Sequence, residues 1–205
     1  MSLVLNFLLI VANVLGAGMI LPQVARLHRL RSTQGVSAVG IGVGIAMNLW
    51  WIVYGTQADA FGIVPVSAAG VVLYSTMAWQ YAGLDGFSSL RPMIVGFAGI
   101  GIVPLIPYLL LGLDAAGLTI GLLYGVQFSP AALTALRTEN PVGVSGATWT
   151  MAWIEAAIWV VYGSSVADLP LIVGGAGGTF MASVILVRLV SGRPRRQRAN
   201  PLALR

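Results

Sequence analysis

Long apolar stretches separated by short polar ones run the length of the chain. Stretches of roughly 20 residues, enough to cross a hydrocarbon core about 30 Å thick, occupy residues 3–22, 37–56, 61–82, 93–112, 115–133, 145–163 and 168–190. The pattern predicts an all-α membrane protein with seven transmembrane helices. The first apolar stretch has no cationic segment before it, as a secretory signal would, so it is expected to remain in the protein.

The pattern also repeats. Pro22/Pro130, Arg29/Arg137, Gly35/Gly143, Val36/Val144, Ser37/Ser145, Trp51/Trp159, Val53/Val161, Tyr54/Tyr162, Gly55/Gly163, Gly70/Gly178 and Ser75/Ser183 all stand 108 positions apart. Two three-helix units joined directly would point in opposite directions, because three is odd. One added helix makes them parallel, related by an axis along the membrane normal. The expected organisation is a first three-helix repeat over residues 1–84, a linker helix over 85–113, a second repeat over 114–191 and a basic tail over 192–205. Transporters built from repeats hold their solute between them near the bilayer midplane, so function is expected at paired positions.

Composition sharpens the membrane assignment. Hydrophobic residues make up 58% of the chain and charged residues 8%, with a mean hydropathy of +0.89, too little polar surface for a globule in water. All eleven cationic side chains are Arg, which with abundant Ala, Gly and Val points to a GC-rich, bacterial genome. They fall on one side of the predicted topology: Arg26, Arg29 and Arg31 after the first span, Arg91 after the third, Arg137 after the fifth, and Arg188 to Arg205 after the seventh. Asp59, Asp114 and Asp168 mark the opposite side. Cytoplasmic segments accumulate Arg. The expected placement is a multi-pass protein of the plasma membrane with its amino terminus outside and its carboxyl terminus in the cytoplasm. Arginines spread over separate loops do not make a nucleic-acid face, and the tail is expected to lie on anionic headgroups.

The candidate chemistry is sparse. There is no cysteine, and the one histidine, His28, has no ligand-spaced neighbour and reads as a solvated loop residue. No metal, no cofactor and no enzymatic constellation is expected. Glu155 is the only acidic residue well inside a predicted span. An ionised carboxylate there is costly, so it is expected to face an aqueous cavity or to pair. It lies four residues before Trp159, on the same helical face. Two roles stay open: lining a pocket, with proton coupling conceivable because burial favours the neutral acid, or bonding to Gln127 or Asn48 with no part in transport. Met47 holds the matching place in the first repeat. Proline removes a helical hydrogen bond and bends or loosens the helix. Pro22 and Pro130 therefore read as cytoplasmic hinges, Gln23 bonding the freed backbone, or simply as helix ends. Trp51 and Trp159 offer broad apolar faces to a flat uncharged solute, or anchor the outer interface. Tyr54 and Tyr162 read as belt residues.

With L-P-Q at Leu21 to Gln23, R-S-T-Q-G-V-S at Arg31 to Ser37, W-W-I-V-Y-G at Trp50 to Gly55 and its echo W-V-V-Y-G at Trp159 to Gly163, the chain resembles the PQ-loop proteins, and most of all the SWEET family of sugar facilitators. The resemblance covers about residues 10 to 190. It implies a central pocket between the second and third helices of each repeat, with Trp51 and Trp159 at the paired aromatic positions and Asn48 at a polar one, opposite Ala156. Sixteen residues after each Trp the family carries asparagine, where this chain has Ser67 and Gly175. The family's second-helix prolines are here Gly40 and Thr148.

Three functions follow as expectations. The first is an alternating-access uniporter of a small neutral solute, a mono- or disaccharide above others, working as a monomer with assembly into homo-oligomers left open. The second is a proton-coupled PQ-loop carrier of an amino acid or similar solute using Glu155. The third is a receptor or adaptor that moves no solute.

Overall fold

The computed structural model describes residues 2–34, 36–137 and 146–191, without the side chains of Pro130 and Thr134. Among these residues the chain is all-helical, with eight α-helices: α1 (Leu3–Leu30), α2 (Ala38–Gln57), α3 (Val64–Asp85), α4 (Leu90–Leu111), α5 (Leu113–Val126), α6 (Ser129–Arg137), α7 (Gly146–Val166) and α8 (Leu169–Ser191). The basic tail, Gly35 and the repeat matches at Gly143, Val144 and Ser145 lie outside the described residues.

Local chemistry sets the helix ends. Ser2 and Ser37 accept the amides of Leu5 and Gly40 at 3.3 and 3.0 Å, and Asp168 accepts that of Leu171 at 3.0 Å, each satisfying a donor that the first turn leaves free. Arg31 closes α1 in the left-handed conformation. Gly86 and Gly112, with φ of 81° and 89°, make the two turns that flank α4.

Two helices depart from the hydropathy reading. The first span was expected to stop at residue 22, yet α1 continues through Pro22 to Leu30. Its extra turns carry Gln23, Arg26, His28 and Arg29, polar residues that leave the apolar pattern without opposing a helix. His28 is therefore an exposed helical residue rather than a loop one. The fifth span was expected to be continuous over 115–133, but it breaks between α5 and α6 at Gln127 and Phe128. Pro130 is the second residue of α6, where its missing N–H costs nothing.

Among the described residues, six helical segments are long and apolar enough to cross a membrane, with Leu113–Arg137 taken as one. The chain expected seven. The odd one out is α7, long enough at 21 residues but diluted by Glu155, Thr148, Thr150, Ser164 and Ser165. Around the molecule, Leu3, Phe7, Val72, Leu109 and Phe180 are among many large apolar side chains left exposed, a surface suited to lipid.

Packing is the same in both triads. Within the first, α3 packs against both α1 and α2; within the second, α8 packs against both α5 and α7. Between them, α1 meets α7 and, at the equivalent place, α5 meets α2. The corners match in detail. Gly55 faces Ile63, Val64 and the Ala60 carbonyl, and Gly163 faces Leu171, Ile172 and the Asp168 carbonyl. Asp59 and Ala167, also 108 positions apart, both adopt left-handed backbone, with φ of 54° and 56°. Helix α4 lies against α2 and α5. Its close approach to α2 uses glycine on both sides, since a Cβ on Gly42 would fall 1.9 Å from the Met93 carbonyl oxygen and one on Gly96 would fall 2.2 Å from that of Val39.

Candidate functional site

Both triads face a cavity of about 390 Å³, within the usual range of small-molecule sites. The paired tryptophans Trp51 and Trp159 line it, with Asn48 and Ser67 from the first triad and Glu155 and Gly175 from the second. Gln23 reaches its mouth. Pro22 is exposed on an unbroken helix, and Pro130 follows the α5–α6 break in the backbone. They therefore occupy different backbone settings despite their matching positions.

Trp51 and Trp159 are 6% and 3% exposed, which removes the interfacial-anchor reading. Tyr54 and Tyr162, read as belt residues, are buried as well. Each packs edge-on against the tryptophan three residues before it, with ring centroids 5.9 Å apart in one pair and 6.0 Å in the other. The two tryptophans thus line the cavity, each backed by a buried tyrosine. A hydrogen bond of 2.9 Å from the Tyr54 hydroxyl to Asp168 Oδ2 crosses from one triad to the other beside them. At the far end, by the first turn of α2, the lining residues Gln23, Ser37 and Gly40 are exposed. The cavity is thus shut toward Asp168 and open toward Arg26, Arg29 and Arg31.

An aromatic ladder runs between the two ends. Tyr54 packs on Trp51, Trp51 on Tyr124, Tyr124 on Phe128 and Phe128 on Trp149, all edge to face at centroid separations of 5.2 to 6.4 Å. The break at Gln127 and Phe128 is what turns the Phe128 ring into this row.

Glu155 is 3% exposed. Its Oε2 accepts the Tyr124 hydroxyl at 2.9 Å, and its Oε1 accepts the indole N–H of Trp159. These partners replace the expected ones, for Asn48 donates instead to the Gly44 carbonyl one turn back, at 2.8 Å. Asn48 is also pressed against Gly70, where an added Cβ would fall 2.2 Å from Asn48 Oδ1. Gly175 does more than widen the cavity. Its Cβ would lie 2.7 Å from the Ala156 carbonyl oxygen, so glycine here lets α8 approach α7.

Tyr124, Phe128, Trp149 and Asp168 were absent from the expected site. At 108 positions earlier stand Gly16, Ile20, Ile41 and Ala60, so matching the repeats passes over them. The signal lay in the mismatch, an aromatic or acidic residue facing a small or aliphatic counterpart.

Compared with protein-family models and with curated proteins, the chain matches none.

Proposed function

We propose that the chain is a plasma-membrane carrier working by alternating access, with two parallel three-helix repeats and α4 as the linker between them. With seven spans, α7 included, the amino terminus lies outside and the arginine-rich ends lie in the cytoplasm, a reading supported by the one-sided arginines. The observation that carries this is the cavity between equivalent triads, lined by the buried Trp51 and Trp159 and with its exposed lining residues, Gln23, Ser37 and Gly40, at the opposite mouth. A site between two bodies that can rock about it is the requirement for alternating access. In this reading the protein works as a monomer and the form described is its inward-facing one.

The solute is a small neutral one, a mono- or disaccharide first, carried without coupling to an ion. Support comes from the resemblance to the sugar facilitators and from the two indoles on the cavity wall, whose apolar faces suit the C–H face of a sugar ring. Counterflow of radiolabelled glucose and sucrose in proteoliposomes tests this. Exchange independent of a pH gradient and lost in Trp159→Ala is the expected result. Absence of sugar exchange by folded protein would sink the sugar assignment.

One observation favours a second reading, a proton-coupled carrier of an amino acid or similar solute. The buried Glu155 carboxyl lines the cavity and, among the described residues, is held by Tyr124 and Trp159 rather than by a cation. In that case a pH gradient drives uptake and Glu155→Gln abolishes the drive. A receptor or adaptor, the third possibility, would bind a partner and move no solute at all.

A further inference from the structure

Glu155 sits in a cavity with no cationic side chain among its described lining residues. Its two neutral donors, Tyr124 and Trp159, occupy two of the roughly four lone-pair positions a carboxylate offers. Neutral donors ease a buried negative charge without cancelling it, and an uncompensated charge in a membrane interior is strongly disfavoured. Among the described residues, then, none lining the cavity supplies the compensating positive charge.

We propose that a proton and a small organic cation take turns in supplying that charge, so that the cavity exchanges one for the other. The proposal rests on the carrier reading and assigns its cavity a further class of solute: a monovalent amine or quaternary ammonium ion. The surroundings of Glu155 favour an organic cation. Trp159 and Tyr124 touch the carboxyl directly, and Trp51 packs on Tyr124 at 6.4 Å. Aromatic rings are recognised surroundings of a bound quaternary ammonium group, and here they stand beside a carboxyl that can supply the counter-charge. The ladder continues through Phe128 to Trp149 near the open mouth, so a cation entering there meets π-systems along its path.

The charge balance is simple. On loading, the Glu155 O–H bond breaks, its proton leaves through the open mouth, and the carboxylate pairs with the incoming cation without a covalent bond. After reorientation the cation leaves and a proton from that side takes its place. Both reorienting forms carry no net charge at the site, which keeps the exchange electroneutral. Tyr124 from α5 and Tyr74 from α3 are the other titratable groups on the cavity wall, and as phenols they are neutral near pH 7. Among the described lining residues, the helices packed on α7 bring no titratable group: α1 contributes Gly16, against the Glu155 carboxyl, with Met19, Ile20 and Gln23, and α8 contributes Leu171, Gly174 and Gly175.

The test uses full-length protein in proteoliposomes with an acidic interior and two permanent cations, radiolabelled choline and tetraethylammonium, which cannot cross as free bases. Glucose counterflow is measured on the same vesicles. Expected are accumulation of at least one cation driven by the pH gradient, insensitivity to a clamped membrane potential, and loss in Glu155→Gln. In weakly buffered detergent solution, adding the cation releases protons from wild type and none from Glu155→Gln. If that variant does not fold, Glu155→Asp serves, with uptake expected to fall and its pH dependence to move. Glucose exchange with no cation uptake, inhibition or proton release would overturn this inference and leave the carrier reading standing. Cation uptake that persists in Glu155→Gln would also overturn it. Failure of folded wild type to move any of the probes would overturn this inference and the sugar assignment together.

Discussion

The phenol of Tyr54 donates to Asp168 Oδ2 across 2.9 Å, joining the end of α2 to the corner between α7 and α8. Asp168 also caps α8 through the Leu171 amide, so its carboxylate is held in place from below. Among the described residues the equivalent tyrosine, Tyr162, has no such partner, since Ala60 stands where the first repeat would carry the aspartate. The closed end is therefore latched once. A hydrogen bond to a charged group contributes about 1.5 kcal/mol, roughly ten-fold in an equilibrium. Tyr54→Phe should shift the balance toward opening at this end by about that factor. Since the chain has no cysteine, a single cysteine at Ile63, buried beside the closure, reports it: labelling by a membrane-impermeant maleimide should quicken. Unchanged labelling would show that ring packing alone keeps this end shut.

Gly42 and Gly96 bring the backbones of α2 and α4 together, and little there can yield, because a new Cβ on Gly42 meets the Met93 carbonyl and the Phe97 amide. Gly42→Ala should therefore destabilise the protein by about 1–3 kcal/mol, the cost of overpacking. Gly99 lies on the same α4 with nothing within 4 Å of an added Cβ. Gly99→Ala should be neutral or stabilise by up to roughly 1 kcal/mol through helix propensity. Thermal unfolding of both variants in one detergent makes the comparison, and equal melting temperatures would argue against the close approach.

Hydropathy made the spans legible because lipid-facing helices must be apolar along most of their length. It misjudged helix ends for the same reason. The polar continuation of α1 beyond Pro22 costs nothing in water, and hydropathy records only where the apolar face stops. Proline alone could not predict the outcome at Pro22 and Pro130, since a proline can sit in a bent helix or start a new one. In the second triad the α5–α6 break places Phe128 between Tyr124 and Trp149, a tertiary arrangement invisible to a single-helix pattern. The cavity was half legible. Trp51 and Trp159 are repeated, and Glu155 announces itself as a charge within a span. Tyr124, which holds Glu155, is opposed by a glycine in the first repeat and so carried no such mark.

Asn13 shows how the two triads solve one packing problem differently. Its side chain donates to the Gly62 carbonyl at 3.1 Å and accepts the Val66 amide at 2.7 Å, tying α1 to the start of α3. In the second triad the equivalent residue is Gly121, which brings α5 directly onto the Pro170 carbonyl. Asn13→Ala should cost about 1–3 kcal/mol, the penalty for buried groups left without partners. Gly121→Ala should be at least as harmful, because its Cβ would fall 2.6 Å from Pro170 oxygen. Melting temperatures of the two variants would test this, and a tolerated Gly121→Ala would contradict the tighter seam.

Asp59 and Ala167 hold the same left-handed backbone at the corresponding corners, yet their side chains do not suit it equally. Aspartate visits that region with help from its own short polar group, whereas alanine pays a steric cost of about 1–2 kcal/mol. The strain at Ala167 persists because the corner is fixed on both sides: Asp168 caps α8 and receives Tyr54, and Gly163 packs onto Leu171 and Ile172. Ala167→Gly should relieve it, raising stability by up to about 1 kcal/mol once the greater freedom of glycine in the unfolded chain is subtracted. Asp59→Gly should give less, since there is less strain to remove. The two variants, melted side by side, would reverse in order if the left-handed corner at Ala167 were absent in the folded protein.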